Sequence, residues 1–91
     1  MKIETKAIHE GWKPKNGEPR QLPIYESTTF KYDSSDDMGK LFDLEAEGYF
    51  YSRLQNPTND AVAAKLTALE GGYAGMLTSS GQAANFFAIF N

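Results

Sequence analysis

The sequence has no cysteine and a single histidine, His9, in 91 residues. Without cysteine these residues hold no disulfide framework, no thiolate metal site and no thiol nucleophile. A lone histidine also excludes a zinc site built on two or more. Long apolar runs are missing: nothing approaches the roughly 20 residues that a membrane span requires. Met1-Lys2-Ile3-Glu4-Thr5-Lys6 has no apolar stretch behind its charge, so no secretory leader is expected and a cytoplasmic location is. Basic blocks are absent too. Nine Lys and Arg against twelve Asp and Glu leave a net charge of -3, a poor balance for holding nucleic acid or an anionic membrane surface. There is no internal repeat and no low-complexity tract.

What is present is ordinary for a globular chain. Apolar residues make up 41% and charged residues 23%, with five Tyr, six Phe and one Trp, and the mean hydropathy is -0.51. That is too aromatic for a disordered segment. The length is short for one domain, and a chain this small with neither disulfide nor metal must pack efficiently to stand alone. The apolar residues do not suggest that. They gather in the second half, and the last six residues are Phe86-Phe87-Ala88-Ile89-Phe90-Asn91. Chain ends are commonly polar and frayed, so part of a larger domain is expected.

Along the chain, residues 3–10 suit a short helix stopped by Gly11. Residues 11–32 carry Pro14, Pro19 and Pro23, then the β-favouring run Ile24 to Phe30, and read as an extended arm. Asp33-Ser34-Ser35-Asp36-Asp37 reads as a helix start, with Met38, Leu41, Phe42 and Glu45/Ala46 at helical spacing and Gly48 as its end. Neighbouring carboxylates point in different directions around a helix, so this acidic run is a solvated cap, not a metal site. Tyr49 to Asn56 is an aromatic loop closed by Pro57. A helix follows through Val62, Leu66 and Leu69, stopped by Gly71-Gly72. Tyr73-Ala74-Gly75-Met76-Leu77-Thr78 reads as a short buried strand. After Ser79-Ser80-Gly81-Gln82 comes a helix that is apolar almost all round, as expected inside a larger protein.

Two places can carry chemistry. Ser79-Ser80-Gly81-Gln82 lies at a helix start, where free backbone N–H groups and the positive dipole end hold anions. Glycine allows close approach and the serines offer hydroxyls. The plainer alternative is a simple serine cap. The tetrapeptide is neither a Walker sequence nor a dinucleotide fingerprint. In Tyr51-Ser52-Arg53, an extended backbone would aim a phenol and a guanidinium fork at one anion. Its plainer alternative is a surface arginine beside a packing tyrosine.

The order of these motifs is more specific than either one. Tyr51-Ser52-Arg53, then Asn56-Pro57-Thr58, then an alanine-rich helix ending Leu69-Glu70-Gly71-Gly72, then Ser79-Ser80-Gly81-Gln82-Ala83-Ala84 resembles the Cys/Met-metabolism family of pyridoxal-phosphate enzymes. Thr5, His9, Gly11 and the stretch Pro23 to Phe30 fit the same likeness. Gln82 and Leu54-Gln55 are most similar to the O-acetylhomoserine sulfhydrylase branch.

The resemblance implies an α/β fold: an N-terminal arm with short helices and a partner-reaching loop over residues 1–57, then over 58–91 the first strand and helix of a fold-type I large domain. The implied cofactor is pyridoxal 5'-phosphate, with its phosphate held by the N–H groups of Gly81 and Gln82. Tyr51 and Arg53 would bind the phosphate of a neighbouring subunit's cofactor, in a homodimer or tetramer with shared sites. The implied reaction is γ-replacement, in which sulfide displaces acetate from O-acetyl-L-homoserine to give L-homocysteine. Alternatives are methionine γ-lyase or a cystathionine γ-synthase or lyase of the same family, or a small anion-binding interaction module. None of the seven lysines stands where such enzymes carry their Schiff-base lysine. No catalytic residue is therefore expected in this chain, and alone it is expected to be inactive.

Overall fold

The computed structural model describes residues 1–91 as four helices joined by extended chain: α1 (Ile3–His9), α2 (Ser35–Phe42), α3 (Pro57–Glu70) and α4 (Gly81–Phe90). Three of the four begin on a side-chain cap. Ser34 Oγ accepts from Asp37 N–H, Asn56 Oδ1 from Thr58 N–H, and Ser80 Oγ from Ala83 N–H. Each cap satisfies a donor that has no partner inside its helix. Pro57 follows the Asn56 cap at the first helical position, where its missing N–H costs nothing.

The 11–32 arm is non-helical as its prolines require, extended apart from a turn closed by Glu18 N–H on Lys15 O. It meets the loop before α3 in one isolated antiparallel bridge, Thr29 to Tyr51, and is tied to the start of α3 by hydrogen bonds at Pro23 and Tyr25. α1 packs against α3, and their junction is tight at Gly11. Gly11 has φ +90, and a Cβ there would run into the Ala61 carbonyl and lie 3.0 Å from Lys65 Cβ. A cavity of about 400 Å³ between α1, the arm and α3 is lined by Ile8, Trp12, Leu22, Val62 and Leu66 among others.

Two local expectations are corrected. α2 stops at Phe42, six residues before Gly48. Leu44 enters the left-handed region at φ 60, and Glu45 and Ala46 N–H turn back to the Lys40 carbonyl at 2.8 and 3.2 Å. That closes the helix as a glycine ordinarily would. Gly48 serves packing instead: a Cβ there would lie 2.7 Å from the Tyr32 hydroxyl and 3.2 Å from Leu41 Cδ2. The strand expected over 73–78 is not formed, and neither is any other. A strand is completed by backbone partners on a neighbouring strand, and none of these residues supplies one.

Only Leu41 and Asn56 are buried. The Cα radius of gyration is 15.5 Å, against roughly 12 Å for a compact domain of this length. α4 packs on no other helix. Its rings stack on one another, with Phe86 and Phe90 centroids 4.8 Å apart, and Ile89 and Phe90 stay about three-quarters exposed. No helix is long and apolar enough to cross a membrane.

Candidate functional site

The loop after α2 returns along the arm. Phe30 N–H donates to Phe50 O at 3.2 Å and Ser52 N–H to Thr28 O at 2.8 Å, so residues 50–52 lie antiparallel to 28–30. The chain then turns sharply, with Leu54 and Gln55 N–H both donating to Tyr51 O at 3.0 and 3.1 Å. This puts Tyr51 and Arg53 side by side. Arg53 Nη2 donates to the Tyr51 hydroxyl at 3.1 Å, and its guanidinium lies 5.3 Å from the ring centroid. Apart from each other, these two side chains have no hydrogen-bond or ion-pair partner in the chain. A phenol and a guanidinium held together, with donors to spare, form a fork for an anion.

Below the fork, Tyr49 donates its hydroxyl to Asp60 Oδ2 at 2.8 Å, tying the loop to the first turn of α3. Burial, then the hydrogen bond to Asp60 and its charge, push the Tyr49 phenol up to about 12. Tyr32 donates in turn to the Tyr49 carbonyl.

The second place is the start of α4. Ser80 is extended at φ -161, and its hydroxyl is engaged with Ala83 N–H at 3.0 Å. Ala84 N–H reaches the Ser80 carbonyl at 3.1 Å, which leaves the Gly81 and Gln82 N–H groups without acceptors. Nothing lies within 4 Å of where a Gly81 Cβ would stand. Neither left-handed backbone nor packing within this chain therefore demands glycine there. Two free donors, a dipole end and open space fit a phosphate group. No hydrogen bond joins this turn to the Tyr51–Arg53 fork, so the chain presents two separate candidate elements for an anion. No His/Cys/Asp/Glu cluster suited to a metal occurs.

The sequence passed over the residues that hold the fork in place. Asn56 is 6% exposed, and its amide reaches Tyr25 O at 3.1 Å and Ser52 Oγ at 3.0 Å. Thr58 Oγ1 accepts from Tyr25 N–H at 2.9 Å and donates to Pro23 O at 3.0 Å. Asn-Pro-Thr announces a helix start, but its partners more than 30 residues away leave no local signal.

Comparison with known proteins gives the class: a pyridoxal-phosphate-dependent enzyme. The sequence model of the Cys/Met metabolism PLP-dependent enzyme family matches residues 4–91, and the chain belongs to that family. It is 43% identical to O-acetyl-L-homoserine sulfhydrylase 1 of Thermus thermophilus over 98% of its own length and 21% of the relative's. Its identity to the O-acetyl-L-homoserine sulfhydrylase of Corynebacterium glutamicum is 45%, covering 98% of this chain and 21% of that one. A solved structure described as an O-acetylhomoserine (thiol)-lyase from Campylobacter jejuni, with N'-pyridoxyl-lysine-5'-monophosphate, superposes with a TM-score of 0.88 at 34% identity. That match covers 99% of this chain and 21% of the other. The chain thus spans about one fifth of the length of these relatives.

Proposed function

We propose that this chain forms the N-terminal part of a pyridoxal-phosphate-dependent transferase that makes L-homocysteine from O-acetyl-L-homoserine and sulfide. The observation that carries the reading is 40–45% identity over almost the whole chain to proteins named O-acetyl-L-homoserine sulfhydrylase. The Tyr51–Arg53 fork and the open donors of Gly81 and Gln82 support it chemically.

In this reading the Gly81 and Gln82 N–H groups hold the cofactor phosphate of their own subunit. Ser80 keeps the turn rigid by occupying Ala83 N–H. Tyr51 and Arg53 donate to the phosphate of a neighbouring subunit's cofactor, the one from its phenol and the other from its guanidinium. Preorganised donors of this kind orient the group without reorganising on binding. When bound, the cofactor supplies the electron sink that lets acetate leave and sulfide replace it.

The division into an arm over 1–57 and the start of a large domain over 58–91 belongs to the same proposal, as do assembly into a homodimer or tetramer and a cytoplasmic location. These rest on the family likeness. Exposed α4 would be covered by the remainder of the large domain, whose strands would pair with 73–78. The 91 residues alone are inactive in this reading, because none of their lysines serves as the Schiff-base lysine.

The test is substrate choice by the complete enzyme containing this segment. O-acetyl-L-homoserine with sulfide should yield homocysteine and acetate, while methionine alone should yield no methanethiol. Methanethiol release without homocysteine formation would overturn the assignment.

A further inference from the structure

Between the free tips of Tyr51 and Arg53 and the rest of the chain stands one buried side chain, Asn56. Both of its amide hydrogens and its carbonyl oxygen are engaged. Oδ1 accepts Thr58 N–H at 2.9 Å as the cap of α3. Nδ2 donates to Tyr25 O in the arm and to Ser52 Oγ in the loop, at 3.1 and 3.0 Å. Ser52, the residue between Tyr51 and Arg53, is itself committed: its hydroxyl donates to Ser27 O and its N–H to Thr28 O. The loop, the first turn of α3 and an arm residue 31 positions away therefore meet on one carboxamide. The fork's tips are exposed, but its base is fixed through Ser52 to a buried point.

We propose that Asn56 is a positioning residue for the phosphate-holding fork, setting the aim of Tyr51 and Arg53 through Ser52 and the arm without touching the ligand. This rests on the reading of Tyr51 and Arg53 as phosphate donors. The chemistry restricts the position closely. An aspartate would keep the cap but turn the contact with the Tyr25 carbonyl into lone-pair repulsion, and could hold Ser52 only by drawing its hydroxyl away from Ser27 O. A serine would also cap the helix but cannot reach the Tyr25 carbonyl and Ser52 together. Capping alone is therefore no reason for asparagine here, whereas the double donation is.

The experiment uses the complete enzyme, stripped of cofactor and titrated separately with pyridoxal 5'-phosphate and with pyridoxal, which lacks the phosphate. Asn56→Ser, Ser52→Ala, Arg53→Ala and the Asn56→Ser/Arg53→Ala double variant are compared. Asn56→Ser should bind pyridoxal 5'-phosphate on the order of tenfold more weakly, the usual scale for losing a supporting contact behind a ligand-binding group. Its affinity for pyridoxal should be unchanged. Ser52→Ala, which cuts the same tie and leaves the helix cap whole, should shift in the same direction. The double variant should be weakened by less than the sum of the two single effects, because Asn56 acts through a fork that Arg53→Ala has half removed. Wild-type affinity in both Asn56→Ser and Ser52→Ala, an additive double variant, or equal weakening toward pyridoxal would each overturn the proposal while leaving the phosphate reading intact. An Arg53→Ala enzyme with unchanged affinity would overturn the phosphate reading, and this inference with it.

Discussion

Tyr49 and Asp60 are eleven residues apart and hydrogen-bonded at 2.8 Å, which fastens the aromatic loop to the first turn of α3. The contact carries a pH signature. An unperturbed phenol ionises near 10.0, whereas Tyr49 holds its proton to about 12. Folding thus binds this proton more tightly than the unfolded chain does. The stabilisation is complete below pH 10 and is lost as pH rises toward 12. Absorbance titration at the tyrosinate band should show one phenol ionising near 12. That phase should disappear in Tyr49→Phe, along with its share of the alkaline loss of stability.

Two serine caps should separate structure from function. Ser34 caps α2, which carries neither candidate anion element, and Ser80 caps α4 at the glycine turn. Ser34→Ala should cost about 1 kcal/mol in unfolding with cofactor affinity unchanged. Ser80→Ala should cost a similar amount and also weaken pyridoxal 5'-phosphate binding, since it loosens the turn bearing the Gly81 and Gln82 donors. Paired urea unfolding and cofactor titration check both.

Gly81→Ala should behave oppositely to Gly11→Ala. A Cβ at Gly81 meets open space, and alanine suits a helix, so stability of the cofactor-free enzyme should hold or rise slightly. Phosphate affinity should nonetheless fall, because the methyl occupies the approach to the N–H groups. Gly11 combines φ +90 with a collision at the Ala61 carbonyl. Gly11→Ala should therefore lose more than about 1 kcal/mol by parting the start of the arm from α3. Calorimetry with and without cofactor distinguishes the two patterns.

Lys31 and Asp33 form the chain's one ion pair, at 3.0 Å, with side chains 85% and 91% exposed. Solvent screening and side-chain entropy cancel most of such an attraction. Lys31→Ala should leave the thermal midpoint unchanged within error at both low and high salt.

The helices were legible because their signals are local. Ser34, Asn56-Pro57, Gly71-Gly72 and Ser80 each act within a turn of their own position, and α3 and α4 lie where these residues put them. One reading failed where a nearby residue competed, and one lacks the partner it needs. The apolar spacing continued past Phe42, but Leu44 adopted the left-handed cap ahead of Gly48. The 73–78 run had the composition of a buried strand, yet composition supplies no hydrogen-bonding neighbour.

The two candidate anion elements show the same division. By itself the sequence determined which groups are offered: a phenol and a guanidinium two residues apart, and a serine–glycine helix start with unpaired N–H groups. Spacing and backbone chemistry were enough for that. Only the tertiary structure decided how the fork is held, because that depends on Asn56 meeting Tyr25 and on Thr58 meeting Pro23, across 31 and 35 residues. Such contacts form when the arm folds back onto α3, and a linear pattern does not encode the closure of so long a loop.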